Sequence, residues 1–259
     1  MDIVIFGSGN VAWSLGHSLH SSGHKILQII SRNSDTGAML SKELSSEFVL
    51  LSDCNFTFSK DTICIIAYPD DILRDISKIY QLNNCIAVHT AGSVSMNILS
   101  GISLRYGVFY PLQTLKTGIR VQNEYPILID ANDPETLLIL NSLASSISNK
   151  VERADDTKRE KVHLAAVIVN NLVNHLYTLT SEYCKRQNID FHLLMPLLYE
   201  TISRIEWSSP SLVQTGPAVR NDQKTINRHI KLMDEFPDLQ NIYKMISESI
   251  QKYYHQLNK

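Results

Sequence analysis

Cysteine is scarce in this chain of 259 residues, and the four present, Cys54, Cys64, Cys85 and Cys184, form no C-x-x-C pair. That excludes a disulfide framework and a thiolate zinc site, and the thiols read as reduced, buried side chains of a cytosolic protein. There is no H-E-x-x-H, so no metal is expected, and no serine lies in the G-x-S-x-G strand-to-helix context of a hydrolase nucleophile. Charge of either sign is not in excess: the formal net charge is -2, which gives no reason to expect nucleic acid or an anionic membrane as partner. Long apolar runs are also missing. The longest, near Leu164 to Leu179, is interrupted by Asn170, Asn171, Asn174 and His175, so it does not read as a membrane span. The first strand begins at residue 2 or 3 with no basic leader before it, and a cytoplasmic location is expected. No internal repeat or low-complexity tract is found.

What the chain has is a strand running directly into a glycine turn and then a helix. Ile3-Val4-Ile5-Phe6 precedes Gly7-Ser8-Gly9-Asn10-Val11-Ala12, and the helical run Trp13 to Leu19 follows. This is the G-x-G-x-x-G/A dinucleotide fingerprint in its proper context. Gly7 permits the tight turn, Gly9 lets a pyrophosphate approach the backbone, and Ala12 lets the helix pack close to the sheet. The helix N-terminus offers unpaired N–H groups to phosphate. The second strand, His24 to Ile30, ends in Ser31-Arg32, where an acid would be needed to hold a free ribose 2′-hydroxyl. A hydroxyl and a guanidinium suit a 2′-phosphate instead, so NADP(H) is expected rather than NAD(H). The alternative is that Arg32 is a solvated loop residue.

Strands and helices alternate through the first half of the chain. The patterning predicts a helix over 35–46, a strand at Phe48 to Leu50, and a buried strand over Asp61 to Tyr68. An amphipathic helix over Asp71 to Tyr80 and a strand at Cys85 to Val88 come next. Further strands are expected at Tyr106 to Phe109, Pro126 to Asp130 and Lys150 to Glu152, with a helix from Asp133-Pro134 to about Ile147. This order implies an α/β fold, a doubly wound parallel sheet of Rossmann-like type, followed by an all-helical second domain. The boundary is placed near residue 154, giving domains 1–154 and 155–259.

In such sheets the ligand lies across the C-terminal ends of the strands. That rule selects the glycine loop, Ala67-Tyr68-Pro69-Asp70, His89-Thr90-Ala91-Gly92-Ser93 and Tyr110-Pro111-Leu112-Gln113-Thr114. Ala67, Pro69, Thr90 and Ala91 are candidate cofactor contacts, while His89, Tyr110 and Thr114 are candidate substrate contacts. Ordinary strand-to-helix turns rich in Ser, Thr and Gly are the competing explanation.

The helix that opens the second domain places Leu164, Ala165, Ile168, Val169, Leu172, Leu176 and Leu179 on one face at 100° per residue. Arg159, His163, Asn170, Asn174 and Tyr177 fall on the other. These groups hydrogen-bond in fixed directions, unlike the lysines and glutamates of a solvated face. A substrate cleft or a satisfied network in a dimer interface would each account for the stripe. His163 is the group best suited to exchange a proton near neutral pH, with His89 and Tyr110 as competitors and Asn170, Asn174 and Gln113 as orienting groups. Between two later helices, Gln214-Thr215-Gly216-Pro217-Ala218-Val219-Arg220 could bind an anionic group, or could simply be a helix cap and turn.

Taken together, these segments resemble bacterial Rossmann-like NADP oxidoreductase proteins that carry a C-terminal helical domain of unknown function. Their wider relatives are pyrroline-5-carboxylate reductase and the 6-phosphogluconate dehydrogenase group. The resemblance implies an NADP-binding domain, a helical dimerisation domain forming a homodimer, and an active site between them. It further implies hydride transfer to or from a small polar C=N or C=O compound. The wider group's K-x-x-x-N pair is not reproduced: His163 would take the lysine position, but Val167 stands four residues later, with Asn170 a further turn along. A non-catalytic NADP(H) sensor is the alternative reading, because a site and not a fold decides activity.

Overall fold

The computed structural model describes residues 1–78, 81–119 and 124–257. The chain divides into two compact units, Met1–Val167 and Ile168–Lys259. The first is built on an eight-stranded sheet ordered β3-β2-β1-β4-β5-β6-β7-β8. Its strands are β1 Asp2–Phe6, β2 Lys25–Ser31, β3 Glu47–Leu50, β4 Ile63–Ile66, β5 Asn83–His89, β6 Ser103–Pro111, β7 Ile127–Ala131 and β8 Val151–Arg153. Its helices are α1 Asn10–Ser21, α2 Ser34–Glu43, α3 Asp70–Arg74, α4 Pro134–Ser145 and α5 Asp156–Ala166.

The central strands are apolar throughout because helices and loops cover both faces of the sheet. In β1 the alternation of side chains sends Ile3 and Ile5 to one core layer and Val4 and Phe6 to the other. Ala12, Leu15 and Leu19 bring α1 onto the first layer, and all are fully buried. The second layer contains Cys64 and Cys85, whose sulfurs lie 3.3 Å apart. Cys64, Cys85 and Cys184 are free and buried as expected, whereas Cys54 is only half-buried.

Helix starts follow their sequence signals. Asn33 Oδ1 accepts from the Thr36 N–H at 3.0 Å, and Asp133 Oδ1 accepts from the Thr136 N–H at 2.9 Å. Three expectations are corrected. The helix expected over 35–46 ends at Glu43, because Ser45 turns left-handed at φ 52°. The single helix expected over 71–80 is α3 followed by a 3-10 turn at Ile76–Lys78, with Asp75 between them pairing to Lys78; Ile79 and Tyr80 lie outside the described residues. Finally, β7 runs antiparallel to β6, with Val108 opposite Asp130. Parallel pairing needs a crossover, usually a helix, and none lies between these strands among the described residues.

The second unit is helical, as expected. A π-helical segment, Val167–Leu172, leads into α6 Val173–Arg186, and α7 Met195–Trp207, α8 Pro210–Val213, α9 Gln223–Leu232 and α10 Pro237–Leu257 follow. In the first unit, α5 is anchored through Arg159, which is 1% exposed and donates to the Val94 carbonyl. The π turn adds a residue to the local repeat, so one 100° wheel cannot describe residues 159–179. Leu164, Ile168, Val169 and Leu172 of the expected apolar face are exposed.

Candidate active site

The parallel strands deliver their C-terminal ends to one edge of the first unit, and the chemistry-bearing residues collect there. After β1 the chain turns at Gly7 with φ +115°, a conformation that L side chains rarely adopt. A Cβ at Gly7 would also lie 2.7 Å from the backbone oxygen of Ala67. Gly7→Ala is therefore expected to destabilise the fold by about 2 kcal/mol or more, read as a lowered urea midpoint. Gly9 differs: a Cβ there would meet nothing within 4 Å, so its lack of a side chain leaves the approach to α1 open. Gly9 is the N-cap of α1 and supplies no side-chain cap, leaving the first-turn N–H groups available to an anion.

A cavity of about 810 Å³ lies over this turn. Gly7, Ser8, Gly9, Ala67, Tyr68 and Pro69 form its floor, and Ser31, Arg32, Asn33 and Thr36 form its wall at the end of β2. The hydroxyl of Ser31 is committed to the loop: it lies 2.8 Å from Ser8 Oγ and accepts from the Asn33 N–H at 3.1 Å. Arg32 is exposed, and no ion pair among the described residues holds its guanidinium. Asn10 does not line the cavity; its Oδ1 accepts from both the N–H and the hydroxyl of Thr117, each at 2.9 Å, and so holds the loop after β6 to α1. Val11 is half-buried against the core and Ala12 fully buried, so these two shape the helix seat. Trp13, Asn33, Thr36 and Thr117 were missed by sequence reasoning. Asn33 and Thr36 were signalled by an N-cap spacing, whereas nothing local marks Thr117.

A second group lies at the ends of β5 and β6. Tyr110 Oη and His163 Nδ1 are hydrogen-bonded at 3.0 Å, with the rings edge to face at 6.0 Å. The imidazole of His163 occupies the space beside Gly92, where a Cβ would come within 2.6 Å of Nδ1. Ser93 Oγ donates to Asp70 and thereby ties the loop after β5 to the loop after β4. Burial pushes the Tyr110 phenol above its ordinary range; the nearby Arg159 charge opposes the shift and Asp70 adds to it.

His89 is fully buried, and its Nδ1 accepts from the Ala91 N–H at 3.2 Å. Burial first, then the Arg159 charge, pushes its pKa down to about 4. His89 is thus neutral and fully buried, with its Nδ1 taken by the Ala91 N–H, which leaves no exposed surface for the expected substrate contact. Below its ordinary value of 6.5 the unfolded chain binds a proton that folded His89 refuses until pH 4. Stability from this group is complete above pH 6.5 and falls by about 3 kcal/mol as pH drops to 4. Urea unfolding at pH 7, 5.5 and 4 measures this, and His89→Asn is expected to flatten the profile.

Gln113 and Thr114 are exposed on the loop after β6, with Gln113 Oε1 accepting from the Thr114 N–H at 2.8 Å. In the second unit, Asn170 lies in the π-helical segment and Asn174 in α6, both exposed. Gln214, Thr215 and Arg220 lie in the turn between α8 and α9, also exposed. That turn has the features of a cap: Gly216 at φ +110°, Asn221 at φ 54°, and Asp222 accepting from the Thr225 N–H at 3.1 Å. Among the described residues no cluster of three or more His, Cys, Asp or Glu could hold a metal, and no helix is long and apolar enough to cross a membrane.

Comparison with known proteins accords with this architecture. Residues 125–250 match the family described as a domain of unknown function, DUF2520. A crystal structure from Bacteroides fragilis, of a protein provisionally named an NADP oxidoreductase, is 34% identical. It covers 97% of this chain and 98% of its own, with a TM-score of 0.90. A protein from Thermotoga maritima shares the fold at 18% identity and TM-score 0.69, over 99% of this chain and 100% of that one. So does a reductive aminase from Aspergillus terreus, solved with NADPH and ethyl-5-oxohexanoate, at 11% identity and TM-score 0.67 over 98% and 92% of the two chains. No curated protein matches the sequence.

Proposed function

The chain belongs to the DUF2520 family, and from that premise we propose that it is an NADP(H)-dependent oxidoreductase acting on a small polar C=N or C=O compound. The observation that carries the reading is the Tyr110–His163 pair, seated on Gly92 at the same sheet edge as the glycine-turn cavity. The residues fit the cofactor. Gly9 leaves the backbone open to a pyrophosphate, the uncapped start of α1 offers N–H groups, and Arg32 is free to take a 2′-phosphate through bidentate bonds. When bound, the nicotinamide supplies or accepts the hydride.

The protein's own part is to position and to move a proton. Gly92, having no side chain, leaves the room beside its backbone that the His163 imidazole fills. His163, hydrogen-bonded through Nδ1 to Tyr110, holds at its ring the proton that balances hydride transfer to the substrate, and Tyr110 fixes the ring's orientation. Ser93 and Asp70 keep the two flanking loops in register. Asn170, Asn174, Gln113, Thr114, Gln214, Thr215 and Arg220 are assigned to the substrate on their sequence pattern alone. Arg220→Ala is expected to raise KM for an acidic substrate about tenfold or more with kcat little changed.

Dimerisation is assigned to the helical unit, where Leu197 is 64% and Trp207 86% exposed. Light scattering should report twice the mass of 29.3 kDa.

The test of function is a screen of small imines, keto acids and aldehydes for NADPH oxidation by the purified protein. Calorimetry without heat for either NADPH or NADP+ would end the proposal.

A further inference from the structure

We infer that Arg159 is a positioning residue of this site: with Asp156 it fastens the loop Val94–Met96 and so seats Gly92 against His163. The inference rests on the proposed role of His163, but its contacts stand apart from any cofactor. Arg159 is 1% exposed, and its Nη2 donates to the Val94 carbonyl and to Asp156 Oδ1, the latter at 2.8 Å. Asp156 in turn accepts from the Ser95 hydroxyl and from the Met96 N–H at 3.1 Å. Burial would raise the Asp156 carboxyl, but the hydrogen bonds from Ser95, Arg159 and Met96 together hold it below the ordinary carboxylate range. The first turn of α5 therefore grips the segment just after Gly92, and His163, one helical turn further along α5, packs against that glycine.

The same guanidinium acts on the turn electrostatically. His89 Nδ1 can accept from the Ala91 N–H only while the ring is neutral, and the buried Arg159 charge disfavours the imidazolium. The charges facing His89 are Arg159 and Asp156 from α5 and Asp70 from the start of α3; the two carboxylates pull the other way. Arg159 is also an expensive group to keep. Its Nε and Nη1 are buried without a hydrogen-bond partner. For packing alone, an apolar side chain of similar volume would serve at lower cost. What an apolar residue cannot supply is the bond to Val94, the grip on Asp156 and the positive charge beside His89.

The test is ring-nitrogen NMR of the histidines in the full chain between pH 5 and 8, with amide exchange at Met96, for wild type, Arg159→Met, Arg159→Lys and Asp156→Asn. In wild type His89 is expected to stay neutral throughout. Arg159→Met should raise its titration midpoint by about one unit, making protonation visible at pH 5, and should shift the His163 Nδ1 resonance. Arg159→Lys keeps the charge and should leave His89 neutral while Met96 exchanges at least tenfold faster. Asp156→Asn should speed Met96 exchange without protonating His89. If Arg159→Met leaves the His89 titration and the His163 resonance unchanged, the inference is overturned. Should that variant not fold, wild-type exchange at Met96 in both remaining variants overturns it equally. No NADPH is present in these measurements, so a failed turnover screen sinks the oxidoreductase reading and leaves them standing.

Discussion

His163→Ala is expected to lower turnover by about 10²–10⁴-fold while NADPH binds as in wild type. A group that gives or takes a proton in the transition state affects kcat, not the ground-state grip on a cofactor. The geometry makes the experiment selective. His163 contacts Gly92 and Tyr110 and does not line the cavity over the glycine turn. Tyr110→Phe removes the hydrogen bond but keeps the ring contact, and should cost about tenfold with an altered pH profile. Gly92→Ala drives a methyl group into the imidazole and should resemble His163→Ala in kcat. Stopped-flow single-turnover rates, with NADPH affinity from fluorescence, separate the outcomes. Unchanged turnover in His163→Ala removes the residue from the chemistry.

The second large effect concerns cofactor choice. Arg32→Ala should weaken NADPH binding by about 10- to 150-fold, the value of one charge-assisted contact, while NADH affinity changes little. Arg32 makes no ion pair among the described residues, so its removal leaves no buried partner behind. Ser31→Ala is a different case. That hydroxyl bonds Ser8 and the Asn33 N–H, so its loss should weaken both cofactors together by loosening the loop. Equal loss for NADPH and NADH in Arg32→Ala would show that the guanidinium does not meet a 2′-phosphate.

Features that depend on neighbouring residues were legible in advance. The turn at Gly7, the small residue at Ala12, the cap at Asp133 and the buried strand expected over Asp61 to Tyr68, formed by Ile63–Ile66, follow from local backbone and burial patterns. His163 was singled out for its chemistry, and Tyr110 for its place at a strand end. Their hydrogen bond was not foreseen, since they are far apart in the chain. Asn10 was read as a cofactor contact from its place in the glycine fingerprint, and His89 as a substrate contact from its place at a strand end. Their side chains are instead occupied by Thr117 and the Ala91 N–H.

The primary structure alone determined the doubly wound unit, the helical unit after it and the glycine turn that follows β1. Periodicity, caps and left-handed turns are short-range consequences of backbone sterics and burial, and they survive without knowledge of the fold. Tertiary structure decided which candidates are buried and what each side chain meets. It buried His89 and kept it neutral, set His163 against Gly92, and brought Asp156 and Arg159 onto a loop some sixty residues earlier in the chain. It also placed a π turn at Val167–Leu172, shifting every helical-wheel position beyond it. Desolvation, charge proximity and close packing depend on which distant segments meet, and that is settled only once the chain has folded.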